Sequence, residues 1–239
     1  MTAMRKPVKG QGCSCRRSTN FKQGACSSVI MLNRQCKNSV LVYFPAGTGG
    51  KFLMNSLALS DKAVLQSAKL AELDLNNQLT IEDKFNELMT RIQKTNAMIW
   101  SDLSLGDVQL FEVLNKNFNS PSLAKVIEPL SNSDRLFFSA AHNRVHANRV
   151  KEFFPNSTII QFVNNEEFLK HRPRYANHHQ EKDVELIGDI MWDCDVYFDE
   201  EKFISELVKL FDYFNISEYR LDLIRIFYKK WKSINLNMP

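Results

Sequence analysis

No Asp or Glu stands before Asp61, and no apolar run approaches the length of a membrane span. The first absence makes the charge lopsided. Residues 1–60 carry nine Lys and Arg, a charge of +9, while the remaining 22 basic and 27 acidic residues give 61–239 a charge of −5. The sequence pI near 8.7 therefore describes the N-terminal quarter, which weakens the case for a nucleic-acid interface spread over the whole molecule. The second absence excludes a transmembrane helix, because runs such as Val40–Phe44 and Leu136–Phe138 fall far short of roughly 18 residues. A secretory signal is not expected either, since Val29–Leu32 is too short for its apolar centre.

Cysteine is scarce and oddly placed. Four of the five, Cys13, Cys15, Cys26 and Cys36, lie in the basic arm. Their spacing lacks the paired C-x₂-C knuckles of common zinc sites. An odd count without an export signal points to the cytoplasm and reduced thiols. With 8 Gly, 7 Pro, 44% hydrophobic and 24% charged residues, the composition excludes a collagen-like or wholly disordered chain. A domain of about 200 residues buries roughly 70% of its unfolded surface, so a core forms without disulfides.

Residues 1–38 read as a disordered basic arm. Three functional alternatives stand beside a plain solvated tail: a polybasic anchor for phosphate-rich partners, a transit peptide, and a cysteine metal site. Nucleic acid is an expected partner only through this arm. Residues 39–239 show no repeat or low-complexity tract and read as one domain.

Within that domain Ser39–Phe44 is a β-branched and aromatic run ended by Pro45 and a glycine cluster, the pattern of a buried strand and a tight loop. Helix periodicity resumes near Lys51. Ile81, Phe85, Leu88, Met89 and Ile92 share one helical face, and Val108, Phe111, Val113 and Leu114 a less regular one. Leu136–Ala140 and Thr158–Val163 read as strands around a helix-like stretch, a crossover that favours parallel pairing. Two helices close the chain. One starts near Asp199 and buries Phe203, Ile204, Leu207, Val208, Phe211 and Phe214; the other starts near Ser217 and buries Leu221, Ile224, Tyr228 and Trp231. The expected architecture is a three-layer α/β domain with a central, mainly parallel sheet.

The segment Phe44-Pro-Ala-Gly-Thr-Gly-Gly-Lys-Phe-Leu53 sits between strand and helix, where a phosphate-binding loop belongs. Glycine lets backbone N–H groups approach an anion, the helix N-terminus adds positive potential, and Lys51 supplies a point charge. Against G-x-x-x-x-G-K-[ST], Gly50-Lys51 fits, Pro45 replaces the first Gly, and Phe52 replaces the Mg²⁺-binding hydroxyl. The plain alternative is a glycine turn that only starts a helix.

This loop resembles the sulfotransferase family, whose P-loop-like strand–loop–helix Y/F-P-K-x-G-T-T-W-L binds 3′-phosphoadenosine 5′-phosphosulfate (PAPS). Phe44 and Pro45 match its opening, and Gly47, Thr48, Gly49, Gly50, Lys51, Phe52 and Leu53 its turn and helix start. Ala46 stands where the family carries its catalytic Lys, and the resemblance then assigns that charge to Lys51. Leu136–His142 is similar to the strand ending in Lys-Thr-His, which makes His142 the general base, a role suited to imidazole near neutral pH. Thr158–Leu169 is similar to the segment K-I-I-Y-V-x-R-N-P-x-D, with Asn164 or Asn165 in place of the Arg that binds the 3′-phosphate. The stretch from Trp192-Asp193 to Trp231 is similar to small sulfotransferase-like proteins of marine bacteria and phages.

The resemblance implies sulfuryl transfer from PAPS to a hydroxyl or amine of a small-molecule or glycan acceptor, without a metal. Pro45, Gly47, Thr48, Gly49, Gly50, Lys51, Phe52 and Asn164 would bind the donor, with His142 and Lys51 catalytic. Two alternatives stay open: a Mg²⁺-dependent phosphotransferase or kinase on the same loop, and a catalytically inactive P-loop scaffold acting as a binding or virion-associated protein.

Rival constellations are weaker. His142 and His146 have zincin spacing, but Asn143 occupies the general-base position. His171, His178 and His179, with Arg172 and Arg174, read as solvated, with a mobile lid or a binding stretch for an anionic donor as alternatives. Asp189, Asp193, Asp195 and Asp199 look like a carboxylate cluster without catalytic spacing, Asp199 being more simply a helix cap. Cys194 reads as a small buried residue, and Trp231 as a core aromatic beside solvated lysines.

Overall fold

The computed structural model describes residues 38–45, 47–65, 74, 77–95, 134–142, 147–148, 151, 156–170 and 187–236. The arm up to residue 37, the face around Val108–Leu114 and the histidine-rich stretch lie outside these. The β-branched run before Pro45 forms β1 (Ser39–Tyr43), buried along its whole length. It is joined by β2 (Phe137–Ala141), β3 (Thr158–Val163) and β4 (Ile190–Asp193). All pairings are parallel, in the order β2-β1-β3-β4. The protein is thus an α/β fold, with a four-stranded parallel sheet among the described residues.

Register assigns the faces. Val40 lies opposite Phe138, Val42 opposite Ala140 and Ile160, and Phe162 opposite Trp192. These side chains share one core with apolar residues of the helices. Leu41, Tyr43 and Ile159, on the other face, are buried as well. Burial on both faces explains why β1 is an unbroken apolar run and not an alternating one.

Five helices are described: α1 (Gly50–Ala58), α2 (Ile81–Thr95), α3 (Asn165–Lys170), α4 (Glu200–Tyr213) and α5 (Leu221–Asn235). Thr80 and Asp83 exchange hydrogen bonds across the first turn of α2 in the manner of a capping box. Leu88 and Ile92 are buried, with Ile81, Phe85 and Met89 packed against the core. In α4 and α5 the expected apolar faces are buried except Val208 and Leu221, which are partly buried and pack against the core, and Leu210 and Phe227 are buried in addition. An aromatic cluster joins α1, α4 and α5. Phe52 stacks on Trp231 with ring centroids 4.1 Å apart and planes 10° apart, and Phe203 and Phe227 lie within 5.2 Å of Phe52.

Three elements differ from the sequence reading. β4 and the 3-10 helix Cys194–Phe198 precede α4, where no regular element is expected. Remote hydrogen bonds make that strand: Gln161 Oε1 accepts from Ile187 N–H and Gly188 N–H, and Asp189 exchanges bonds with the backbone of Ile159. α5 begins at Leu221 and not near Ser217, because Tyr219 bridges antiparallel to Ser60 and Glu218 O accepts from Asp61 N–H at 3.0 Å. Those bonds hold the preceding residues extended.

Candidate functional site

In a parallel sheet the carboxyl ends of all strands meet at one edge. Here that edge carries Phe44 after β1, His142 after β2, Asn164 after β3, and Asp193 closing β4. The chain leaves β1 for β2 on one side and β3 for β4 on the other. The gap between the ends of β1 and β3 is therefore a topological switch point, where open α/β sheets bind their ligands. The glycine loop lies directly at it.

The loop is held from within. Thr48 is fully buried, and both its N–H and its hydroxyl donate to Pro45 O, at 3.2 and 2.7 Å. Thr48 O accepts the Cys194 thiol at 4.0 Å, a weak sulfur contact, and Gly49 O accepts the Tyr197 hydroxyl at 3.2 Å as well as Leu53 N–H at 3.1 Å. Phe44 O faces His142 Nδ1 at 3.1 Å. A trans peptide sets each carbonyl opposite the next residue's N–H. With the Thr48 and Gly49 carbonyls turned toward the core, the Gly49 and Gly50 N–H groups are directed away from it.

Gly47 and Gly49 adopt φ of 89° and 86°, the left-handed region that suits successive N–H groups to an anion. Gly50 is required for another reason. A Cβ there would stand 2.2 Å from the Phe44 ring, which fills the space beneath the helix start. The N-terminus of α1 opens on Gly49, with no side-chain cap and no acidic residue in its first turn. Its positive end is thus left for an anion, with Lys51, half-buried, in that same turn.

His142 is fixed against this loop. Its ring meets the Phe44 ring edge-on, with centroids 4.6 Å apart. A carbonyl only accepts, so the contact with Phe44 O assigns the proton to Nδ1 and makes Nε2 the acceptor nitrogen of the neutral ring.

The structure thus gathers Pro45, Gly47, Thr48, Gly49, Gly50, Lys51 and His142 at one place, with Asn164 on the same sheet edge. Ala46 lies outside the described residues. Phe52 points the other way, 1% exposed in the aromatic cluster, so only its backbone belongs to the loop. Asn164, exposed and at φ 54°, donates from Nδ2 to Asp193 Oδ2 at 3.0 Å. The aspartates are not one cluster: Asp189 pairs with Ile159 N–H, Asp193 Oδ1 caps Asp195 N–H, and Asp199 caps α4 through Glu201 N–H and Lys202 N–H. Among the described residues no group of three or more His, Cys, Asp or Glu is placed to hold a metal ion, and His146, His171, His178 and His179 lie outside them.

Sequence reasoning missed Tyr197, which belongs to no motif and whose position follows from the 3-10 helix alone. Burial pushes its hydroxyl, and the Cys194 thiol, well above their ordinary pKa values, so both stay protonated as donors. Among the described residues no helix is long and apolar enough to cross a membrane. In comparison with known proteins, no family model matches the chain, and no curated protein and no solved structure matches it.

Proposed function

We propose that the protein is a P-loop-like, three-layer sulfotransferase-type domain that moves a sulfuryl group from PAPS to a hydroxyl or amine acceptor. The observation that supports this most is the glycine loop at the switch point, its carbonyls held inward and the Gly49 and Gly50 N–H groups directed outward beside Lys51. In this reading the loop and Lys51 bind the 5′-phosphosulfate. His142 Nε2 takes the acceptor's proton as the acceptor oxygen or nitrogen bonds to sulfur. The bond from sulfur to the bridging phosphate oxygen breaks, and 3′-phosphoadenosine 5′-phosphate leaves. Phe52 stands in the core where a P-loop carries its Mg²⁺-binding hydroxyl, and the hydroxyl of Thr48 belongs to a fully buried residue; the proposed chemistry uses no metal.

One observation favours a second reading. Asn164 is hydrogen-bonded to the Asp193 carboxylate, which opposes a 3′-phosphate at that end. A nucleotide without that phosphate, used by a phosphotransferase, fits this feature better. Calorimetric titration with 3′-phosphoadenosine 5′-phosphate in EDTA, with ATP plus Mg²⁺ as competitor, separates the two. The expected result is metal-independent binding that Lys51→Ala weakens by about 10–100-fold, the worth of one charge-assisted hydrogen bond. Binding of ATP only with Mg²⁺ would move the protein to the phosphotransferases. No binding of either would leave an inactive scaffold.

A further inference from the structure

We infer that Tyr197 is a positioning residue for the glycine loop: its hydroxyl, assisted by the Cys194 thiol, holds the loop carbonyls inward and so presents the Gly49 and Gly50 N–H groups to an anion. The inference rests on the anion-binding reading of the loop, but it is carried by contacts that reading does not use. Tyr197 is fully buried, and its hydroxyl donates to Gly49 O at 3.2 Å across 148 residues of sequence. Its ring touches the same residue, since a Cβ on Gly49 would lie 3.1 Å from Cε2. The ring also packs among Phe52, Trp192, Phe203 and Trp231.

Tyr197 is itself anchored. Tyr228 of α5 donates its hydroxyl to Tyr197 O at 2.9 Å, and Asp193 caps the 3-10 helix that carries it. Cys194, one turn earlier, sends its thiol to Thr48 O, the neighbouring loop carbonyl. Two side chains of one short helix thus hold two successive carbonyls of the loop. Local bonds from Leu53 N–H to Gly49 O and from Thr48 to Pro45 O also restrain the loop, but glycine tolerates both signs of φ, so these peptide planes resist rotation less than those of other residues. Rotation of either plane would turn an N–H inward and remove it from the anion.

The test is Tyr197→Phe, which removes the hydroxyl and keeps the ring. Two readouts are taken on the folded protein, with Ser60→Ala as a control that loses a buried hydroxyl at the far end of α1. The first is affinity for 3′-phosphoadenosine 5′-phosphate, expected to fall by about three- to tenfold, as for one neutral hydrogen bond, while Ser60→Ala leaves it unchanged. The second is amide hydrogen exchange without ligand. Leu53 N–H, which shares the Gly49 carbonyl with Tyr197, is expected to exchange faster relative to Leu57 N–H in Tyr197→Phe.

An unchanged Leu53-to-Leu57 exchange ratio, or unchanged affinity in the variant, overturns the inference. If the unmodified protein does not bind the bisphosphate but the exchange ratio shifts, the anion reading fails and the clamp stands. If Tyr197→Phe does not fold, Cys194→Ala is read by the same two measurements, with a smaller effect expected in the same direction.

Discussion

At the residue scale, Gly50 shows how packing reverses an intrinsic preference. Ala at a helical position is ordinarily better than Gly by about 0.5–1 kcal/mol. Here the Cβ would meet the buried Phe44 ring at 2.2 Å, and that ring is confined by His142 and Phe162. Gly50→Ala is therefore expected to destabilise by about 1–3 kcal/mol, as overpacking does. Urea unfolding measures it, and a variant as stable as the parent would show that the ring can move aside. The same residue reads from sequence as a phosphate-loop glycine; the demand the structure shows is the steric one. Phe52, in contrast, reads as part of the loop but belongs to the core, because the helix turns its side chain toward Trp231.

At the element scale, the caps settle where helices begin. Asp199 accepts from Glu201 N–H and Lys202 N–H, and these bonds hold its carboxyl below the ordinary carboxylate range. A carboxyl depressed on folding stabilises above its unfolded pKa, and that contribution is lost as pH falls through the folded value. Asp199→Ala is thus expected to lower Tm by a few degrees at pH 7. The gap between variant and parent closes in acid, as the pH falls through that depressed value. Scanning calorimetry at pH 7 and in acid checks this, and a gap that persists in acid would assign the loss to something other than the charged cap. Asp199 was legible as a cap from its place before an apolar period. The start of α5 was not, because the bridge between Ser60 and Tyr219 spans the chain and leaves no local mark.

At the scale of the whole molecule, a buried charge cluster ties separate segments together. Lys84 of α2, 1% exposed, donates to Ser60 O at 2.6 Å and Ala63 O at 2.8 Å, with its Nζ 3.7 Å from Asp74 Oδ2. Asp74 in turn accepts from Arg135, just before β2, and from Leu65 N–H. Desolvation is the main cause that pulls the Lys84 pKa down from 10.5 to about 8, against the attraction of Asp74. Between those two values the unfolded chain holds the extra proton, so the contribution of Lys84 to stability rises with pH there, by on the order of 2–3 kcal/mol.

Tyr228 acts in the opposite sense. Burial pushes its pKa up to about 12, so between pH 10 and 12 the folded chain keeps a proton that the unfolded chain loses, and stability falls. The Cys194 thiol and Tyr197 hydroxyl, also raised by burial, act in the same sense from about pH 9 and pH 10, their unfolded values, so the Lys84 limb is opposed from pH 9 upward. A stability maximum near pH 9 is expected, visible as the urea midpoint from pH 7 to 11. Lys84→Met should flatten the rising limb only, and a parent protein without that limb would refute the assignment.

The sequence alone determined β1 to β3, the apolar faces of α2, α4 and α5, and the glycine loop with its lysine. Each of these is recorded by residues adjacent in sequence, through periodicity, capping residues or turn chemistry. Tertiary structure alone decided that the loop lies at a switch point, that β4 exists, that Lys84 is buried, and that Tyr197 reaches Gly49. The physical reason is that these features depend on contacts between residues far apart in the chain. Burial on a shared face repeats along a sequence, but a single hydrogen bond across 148 residues does not.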